Sequence, residues 1–251
     1  RLRFLDCNLN IKPLQNVDVR RALTRAIDLN EIIRVVNNNY AEQAHGFLIP
    51  RSQGYDPNYK APYTTACDLK RAKELLAKAG YPNGEGFPPF TLYVYSNDVE
   101  DEKAAICIKN DLAKINVQVN IVKMPRQDVI SKIREEGSTT WSGCLSGWGL
   151  DIPDMINFLQ LFYGKNIGQS NFTAYNDETF NMLYDQAMSM KLGPERAKLY
   201  QKMNERLCDT VPGFPISIKE EYDFIDEKIK NRVCRSSFIF DQEQYMDVVE
   251  E

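Results

Sequence analysis

Residues 90–121, FTLYVYSNDVEDEKAAICIKNDLAKINVQVNI, switch between two hydrophobic periods and decide the fold of this chain. From Phe90 to Val94 every second residue is apolar, as in an extended strand. Apolar residues then recur at helical spacing over 99–115, and alternation returns at 117–121. A strand, a helix and a second strand of these lengths predict a right-handed parallel β-α-β unit.

The segments before this unit also alternate between strand and helix patterns. Residues 1–11 have the character of a strand, and Asp18 is the predicted N-cap of a helix that breaks near Asn30. A further helix is predicted to begin after Asp68 and to end at Gly80, because glycine is common just beyond a helix C-terminus. We therefore expect helices to surround a sheet.

The segments after the unit continue the same alternation. A helix is predicted over 126–136 and a strand over 141–148, which leads to a helix starting at Pro153. Asp177 is the predicted cap of the next helix, and Gly193 separates that helix from the last one. Helices and strands that alternate without internal repeats are typical of an α/β domain.

The segment 147–154, GWGLDIPD, is the strongest candidate for a binding site. It places Trp148 three residues before Asp151, and its glycines allow another backbone to approach closely. Because open α/β sheets bind ligands beyond the carboxyl ends of their strands, a strand-to-helix junction is a suitable position. An amine-bearing, strand-like ligand would suit these residues. The alternative is a tryptophan packed in the core and a solvated aspartate at a helix start.

Composition excludes some classes of function. The chain has 251 residues, of which 43% are hydrophobic and 26% charged, so it can form a real core. Its net charge of −4 and pI near 5.3 argue against a nucleic-acid or anionic-membrane surface. No apolar run approaches the roughly 18 residues needed to span a bilayer. We recognise no signal peptide at Arg1–Leu5, which resembles the interior of a longer sequence, and we expect a mature fragment.

Cysteine and histidine give no metal-binding pattern. The six cysteines are Cys7, Cys67, Cys107, Cys144, Cys208 and Cys234. They form no C-x-x-C pair, and the single histidine, His45, has no neighbouring ligand, so we expect no metal site. The even number permits three disulfides, whereas the helical patterns around Cys67 and Cys107 favour buried free thiols.

Tyrosines are dense in and before the loop-like segment 44–66. They are Tyr40, Tyr55, Tyr59 and Tyr63. Glycines and prolines in the same segment predict turns. An ordered surface loop is the favoured interpretation, and the rim of a binding site is the alternative.

Six segments, taken in order, resemble one family of transport receptors. They are 13–28 (PLQNVDVRRALTRAID), 68–81 (DLKRAKELLAKAGY), 108–119, 147–154, 175–180 (YNDETF) and 196–200 (RAKLY). Together they are similar to the landmarks of family 5 extracellular solute-binding proteins of the oligopeptide and dipeptide type. These proteins feed ATP-driven (ABC) importers. No single segment is specific, and the order over nearly the whole chain carries the resemblance.

The resemblance implies an architecture and a division of the chain. It covers the C-terminal half of such a receptor, mainly the second lobe of a two-lobed periplasmic-binding-protein type II fold. That lobe is an α/β domain with a mixed sheet flanked by helices. By this analogy 1–14 leaves the first lobe, 15–218 forms the second lobe, and 219–251 is a tail that returns to the first.

The resemblance also implies a function and partners. The protein would be a binding protein rather than an enzyme, and it would hold peptides in extended form between its lobes. Its partners would be the peptide and the permease and ATPase subunits of an ABC importer, with no nucleic acid and no cofactor. We expect a monomer located in the periplasm or outside the cell, free or membrane-anchored.

In peptide-binding members, the aspartate at the position of Asp151 receives the α-ammonium of the ligand. The resemblance then makes Trp148 a wall of the site, while Gly147 and Gly149 leave room for the ligand backbone. Charge-assisted hydrogen bonds are the strong ones, which suits a carboxylate that faces an ammonium.

Three further residues complete the expectation for the site. Leu145 stands where some peptide receptors carry an arginine, so we do not expect this lobe to clamp a ligand carboxylate. Leu145 and Asn171 are nevertheless candidate contacts, although turn formation explains Asn171 equally well. Asp154 is interpreted as a helix-start residue facing the positive end of the helix dipole, not as a ligand contact.

Two alternatives stay open. The same family could carry another cargo, namely a sugar, nickel or haem; Trp148 could stack on a sugar ring, and a metal would need ligands from the absent lobe. A hydrolase using Asp151 and Asp154 as acid and base belongs to another class. Pro153 argues against it, because a strand-to-helix turn fits this segment better than a helix on which the carboxylates face each other.

Overall fold

The computed structural model describes residues 1–62, 67–219, 226, 228–230 and 247–248. Its helices are α1 (Lys12–Gln15), α2 (Val17–Ala26), α3 (Leu29–Asn37), α4 (Leu69–Lys78), α5 (Val99–Ala113), α6 (Arg126–Arg134), α7 (Ile156–Leu159), α8 (Glu178–Met188) and α9 (Pro194–Thr210). Its strands are β1 (Leu2–Cys7), β2 (Ala41–Gln43), β3 (Phe90–Tyr95), β4 (Val119–Met124), β5 (Gly143–Trp148), β6 (Gly213–Lys219), β7 (Ile229–Lys230) and β8 (Asp247–Val248). Within these ranges, no helix combines the length and apolar character needed to cross a membrane.

Six strands form one mixed sheet in the order β2-β6-β1-β5-β3-β4. β3 pairs in parallel with β4 and β5, whereas β1 pairs antiparallel with β5 and β6. A mixed sheet surrounded by helices confirms the predicted fold class.

The position of β1 bears on the predicted division of the chain. The segment 1–14 was expected to leave another lobe, yet its strand lies in the middle of the sheet between β5 and β6. The α/β unit therefore includes residues that we had placed before its start at residue 15. The connection of this segment to a first lobe stays a prediction, and most of the tail at 219–251 lies outside the described residues.

The β-α-β unit over 90–121 is confirmed as a parallel pair of strands joined by α5. The Asp98 side chain accepts the backbone N–H of Asp101 at 2.9 Å, which caps the helix. Ile108 and Leu112 are fully buried on the inner face of the helix, as their spacing predicted. Local capping and apolar spacing thus agree with the tertiary packing of this unit.

The cap of α2 differs from the prediction. Asn16, not Asp18, is the N-cap, and its side chain accepts the Asp18 N–H at 2.9 Å. Asp18 lies in the first turn and forms an ion pair with Lys78 at 2.8 Å. The predicted break near Asn30 is confirmed, because Asp28 caps α3 by accepting the N–H of Asn30 at 3.0 Å.

Two element boundaries also differ from the sequence-based expectation. β1 ends before Asn8, whose side chain donates to the carbonyls of Ser138 at 2.8 Å and Trp141 at 2.9 Å. The helix expected to begin at Pro153 begins only at Ile156, so Pro153 lies in the bend before α7. Long-range hydrogen bonds and buried loop residues set both boundaries.

The core extends over both faces of the sheet. α2 packs on α4 and α3 on α5, while α8 packs on α9. A smaller cluster consists of Tyr93, Val129, Ile133, Trp141 and Cys144. Cys7, Cys67, Cys107 and Cys144 are free thiols, and Cys234 lies outside the described residues. Cys67 and Cys107, which were predicted to be buried free thiols, are free but only partly buried, whereas Cys7, Cys144 and Cys208 are buried.

The ends of several strands meet at one edge of the sheet. β3, β4 and β5 finish there, at Tyr95, Met124 and Trp148, and this is called the site edge. Because β1 is antiparallel to β5, its amino end reaches the same edge. β6 also ends there, and the Lys219 N–H donates to the carbonyl of Arg1 at 2.9 Å. β1 therefore begins, and β6 ends, side by side at the site edge.

Candidate ligand site at the carboxyl edge of the sheet

The loop after β5 holds Trp148 and Asp151 together through one side chain, that of Asn157. The Asn157 Oδ1 accepts the indole N–H of Trp148 and the backbone N–H of Asp151, each at 3.1 Å. The Asn157 Nδ2 donates to the Asp151 carboxylate at 3.3 Å. Trp148 is half-buried and Asp151 is exposed. An aromatic wall and an accessible carboxylate are thus fixed relative to each other.

Apolar packing fixes the position of Asn157. The adjacent Phe158 is 1% exposed, and its ring meets that of Phe4 edge-to-face with centroids 5.5 Å apart. Such aromatic pairs stabilise beyond the area they bury. The Gln160 side chain also donates to the carbonyl of Asn157 at 2.9 Å. A single buried turn therefore carries the polar side chain that orders the site loop.

Asp154 has a structural environment that differs from that of Asp151. It is 9% exposed, and its carboxylate pairs with Arg196 at 3.0 Å. It also accepts the hydroxyl of Tyr200 and the backbone N–H of Ile156, the latter at 3.1 Å. The expectation of a helix-start residue is correct for the Ile156 contact, but the main partners of this carboxylate come from α9.

Gly147 differs from its expected role. A Cβ at this position would lie 2.7 Å from the Arg1 Nε, so the space beside the glycine is filled by that guanidinium. The Arg1 Nη2 also donates to the Gly147 carbonyl at 3.5 Å. Room for ligand backbone next to Gly147 would therefore require the flexible Arg1 side chain to move. Gly149 is half-buried in the loop that follows.

The burial of Leu145 and Asn171 argues against their assignment as candidate ligand contacts. Leu145 has no exposed area and lies opposite Leu5 in the β1–β5 pair. Asn171 is 1% exposed, and its amide donates to the carbonyls of Tyr163 at 3.1 Å and Tyr175 at 2.8 Å. Neither side chain reaches the surface, so they stabilise the fold and we omit them from the candidate site.

A charged strip crosses the site edge beside Trp148. Arg3 forms ion pairs with Asp101 at 2.7 Å and with Glu100 at 3.0 Å, and Lys219 pairs with Glu100 at 2.8 Å. Burial raises the pKa of Asp101 to about 6, although Arg3 acts in the opposite direction. These contacts tie β1 and β6 to the start of α5 where both strands reach the edge.

A buried carboxyl lies one layer below the site. Asp6 is 4% exposed and accepts the Ser146 hydroxyl at 2.8 Å. Burial raises the pKa of Asp6 to about 7, against the opposing effect of the Ser146 hydrogen bond. Burial likewise raises the pKa of the neighbouring Cys144 thiol, which stays protonated. The strand that carries Trp148 therefore packs against a carboxyl that is partly neutral at physiological pH.

Metal ligands do not converge in the described part of the chain, where no group of three or more His, Cys, Asp or Glu side chains could hold an ion. His45 follows β2, which β6 and β1 separate from β5.

The sequence patterns pointed to neither Asn157 nor Ser146. Asn157 carried one overlooked signal, a polar residue between the apolar Ile156 and Phe158 just after the motif.

Comparison with known proteins identifies the family. The family described as bacterial extracellular solute-binding proteins, family 5 Middle, matches residues 1–170. The chain is 32% identical to heme-binding protein A of Haemophilus influenzae over 241 residues, which are 95% of this chain and 43% of that protein. It is 30% identical to the oligopeptide-binding protein OppA of Bacillus subtilis, covering 89% of this chain and 41% of OppA. The chain thus spans less than half the length of these relatives.

Solved structures share the fold. The periplasmic binding protein DppA of Helicobacter pylori, in complex with the peptide STSA, superposes with a TM-score of 0.79 and 26% identity. The match covers 98% of this chain and 47% of DppA. This likeness confirms the resemblance that the ordered segments indicated. The chain belongs to family 5 of the bacterial extracellular solute-binding proteins.

Proposed function

We propose that this chain is one lobe of the substrate-binding component of an ABC importer and that it binds peptides in extended form. Asp151 receives the peptide α-ammonium, and Trp148 forms a wall beside it. The observation that carries the proposal is the exposed Asp151 carboxylate at the site edge, held next to Trp148 by Asn157. Ordering by Asn157 lowers the cost of arranging the site when a ligand binds.

The chemistry of the contact supports this role. A hydrogen bond to a charged group contributes about 1.5–3 kcal/mol net, and closure of a second lobe would remove competing water. Two-lobed receptors close by a hinge and bury the ligand between the lobes. The β1 and β6 ends, adjacent at the site edge, are suitable places for such crossings. This lobe alone would bind peptide weakly, because it supplies one wall.

Recognition of an extended peptide would depend on its backbone and terminus more than on its side chains. Strand-like ligands pair through main-chain hydrogen bonds, which are independent of side-chain identity. Trp148 would add apolar and stacking contact. A receptor built this way would accept many sequences, provided that the amino terminus is free.

A binding role explains the two aspartates better than catalysis does. The hydrolase alternative needs Asp151 and Asp154 as a free acid–base pair. Asp154 is instead engaged by Arg196 and Tyr200 in a buried position. We therefore infer a non-enzymatic protein without a cofactor, which acts as a monomer in the periplasm or outside the cell, either free or membrane-anchored. It would deliver peptides to permease and ATPase subunits.

A second candidate cargo is haem, because one relative at 32% identity is named heme-binding protein A. His45 would not serve as an iron ligand at the site edge, since β6 and β1 separate its strand from β5. Haem binding by this lobe would therefore use Trp148 and apolar contact, with any axial ligand coming from another part of the receptor.

Analysis of the cargo distinguishes these two functions. The complete receptor is purified without refolding, denatured, and its released small molecules are measured by mass spectrometry and visible absorbance. We expect peptides with free amino termini. A porphyrin spectrum without peptide masses would replace the peptide proposal with the haem one.

A further inference from the structure

The first turn of α5 carries three consecutive carboxylates, and each pairs with a cation on a strand that reaches the site edge. They are Glu100, Asp101 and Glu102. Asp101 pairs with Arg3 of β1 at 2.7 Å. Glu102 pairs with Lys123 of β4, also at 2.7 Å. Glu100 has two partners, because its Oε2 lies 3.0 Å from Arg3 and its Oε1 lies 2.8 Å from Lys219 of β6. One helical turn therefore ties three strands together at this edge.

Glu100 differs from Glu102 in the strands that it reaches. α5 joins β3 to β4, so the Glu102 pair connects the helix only to the strand that it leads into. β1 and β6, in contrast, lie on the far side of β5 in the sheet. Arg3 lies opposite Gly147 in the β1–β5 pair, one residue before Trp148. The Glu100 contacts therefore link elements on both sides of the strand that carries Trp148.

The position of this helical turn is fixed independently of Glu100. Asp98 caps the helix by accepting the N–H of Asp101 at 2.9 Å, and the positive end of the helix dipole favours the carboxylates that follow. The inner ion pair is largely removed from water, since the side chains of Arg3 and Asp101 are 14% and 6% exposed. Glu100 thus joins a mostly buried pair on β1 to the half-exposed Lys219 on β6.

We propose that Glu100 is a positioning residue for peptide binding, because it holds the ends of β1 and β6 in one arrangement at the site edge. This role rests on the proposed function, in which these two strands connect the lobe to a second one. Hinges move at a few residues near the ends of elements. A contact at those ends limits the orientations that the second lobe adopts before it closes over Trp148 and Asp151. Without Glu100 more orientations would be lost on binding, and that ordering weakens the affinity.

Calorimetry of the complete receptor tests this role with a synthetic copy of the most abundant peptide that the purified receptor releases. Glu100→Gln should weaken the binding of this peptide about fivefold. Glu102→Gln is the matched control and should change the affinity less than about twofold. The two carboxylate side chains are 33% and 29% exposed, and both lysine partners are 48% exposed. The variants therefore differ in the strand that they release, while the change in charge and the exposure are alike.

Lys219→Met tests the same contact from β6. It should weaken the peptide about as much as Glu100→Gln, and the double variant should bind no more weakly than Glu100→Gln alone, because both changes remove one contact. Lys123→Met is the corresponding control on β4. All of these variants should unfold near the same urea concentration as the unmodified receptor, because partly exposed ion pairs contribute little to stability. A loss of affinity without a loss of stability distinguishes positioning from a purely structural role.

The positioning role would be overturned by equal losses of affinity in Glu100→Gln and Glu102→Gln, or by unchanged or tighter binding in Glu100→Gln. Additive losses in the Glu100→Gln/Lys219→Met double variant would also overturn it. Binding of the peptide by the unmodified receptor tests the proposed function separately. An unmodified receptor that neither releases nor binds peptide would contradict the proposed function, and the role of Glu100 with it.

Discussion

Asp151 and Asp154 lie three residues apart on one loop and have opposite environments. Asp151 is exposed and its carboxylate accepts a hydrogen bond from Asn157, whereas Asp154 is 9% exposed and lies between Arg196 and Tyr200. A buried carboxylate needs a partner, while an exposed one is available to a ligand. Burial, not residue type or spacing, therefore gives Asp154 a structural role and leaves the carboxylate of Asp151 accessible.

The partners explain how the two environments arise. Arg196 and Tyr200 lie on α9, more than forty residues along the chain, and they hold the start of α7 against that helix. Asn157 is local and belongs to the same loop as Asp151. The distant contact anchors the loop, and the local contact orients the exposed carboxylate.

The largest expected effect comes from removing the cation next to Asp154. Arg196→Met should destabilise the chain by about 3–5 kcal/mol, because it leaves a buried carboxylate uncompensated. Urea unfolding followed by circular dichroism measures this loss. Lys165→Met is the matched control, since its ion pair with Asp185 is exposed and should contribute less than about 1 kcal/mol. Equal losses in the two variants would show that the Asp154 contact is not the anchor.

Asp6 extends the comparison to a carboxyl that is buried without a cation. Because its folded pKa of about 7 lies above the value of 3.8 expected when unfolded, stability should fall as pH rises from about 4 and level off above about 7. The total loss of stability between these two pH values would be on the order of 4 kcal/mol.

Asp6→Asn removes this titration and should flatten the pH profile of stability between pH 4 and 7. Thermal unfolding across that range measures the difference from the unmodified chain. Asp101, whose pKa is also raised, continues to titrate in the variant and leaves a smaller slope of the same sign. A profile identical to that of the unmodified chain would mean that Asp6 does not titrate in this range.

A smaller effect is expected at Asn157. Asn157→Ala removes the hydrogen bonds to Trp148 and Asp151 and should cost about 1 kcal/mol of stability, because these bonds are partly exposed. The sequence has two tryptophans, Trp141 and Trp148, so in a Trp141→Phe background the tryptophan fluorescence reports on Trp148 alone. We expect the Trp148 emission to shift to the red as its packing loosens. Lys165→Met, which breaks an exposed ion pair outside the site loop, should leave the emission unchanged.

The sequence predicted the local features of the fold and site. Apolar periodicity gave the β-α-β unit, and the junction after Trp148 placed Asp151 at the carboxyl edge of the sheet. Contacts between distant segments were not accessible: nothing in the sequence pairs Asp154 with Arg196. The burial of Leu145 was missed because the resemblance marked its position, whereas its packing depends on pairing with the distant strand β1. For Asn171 the alternative of turn formation fits the buried hydrogen bonds, which a polar side chain can supply to a turn as readily as to a ligand.

The anchoring role of Asp151 is tested most directly by calorimetry of the complete receptor with one peptide in two forms, with a free amino terminus and N-acetylated. Asp151→Asn should weaken the free peptide by about 1.5–3 kcal/mol and leave the much weaker acetylated form nearly unchanged. Asp128→Asn, which removes an exposed charge from the start of α6 at the same edge, should affect neither peptide. An equal loss for both peptides in Asp151→Asn would contradict the ammonium contact.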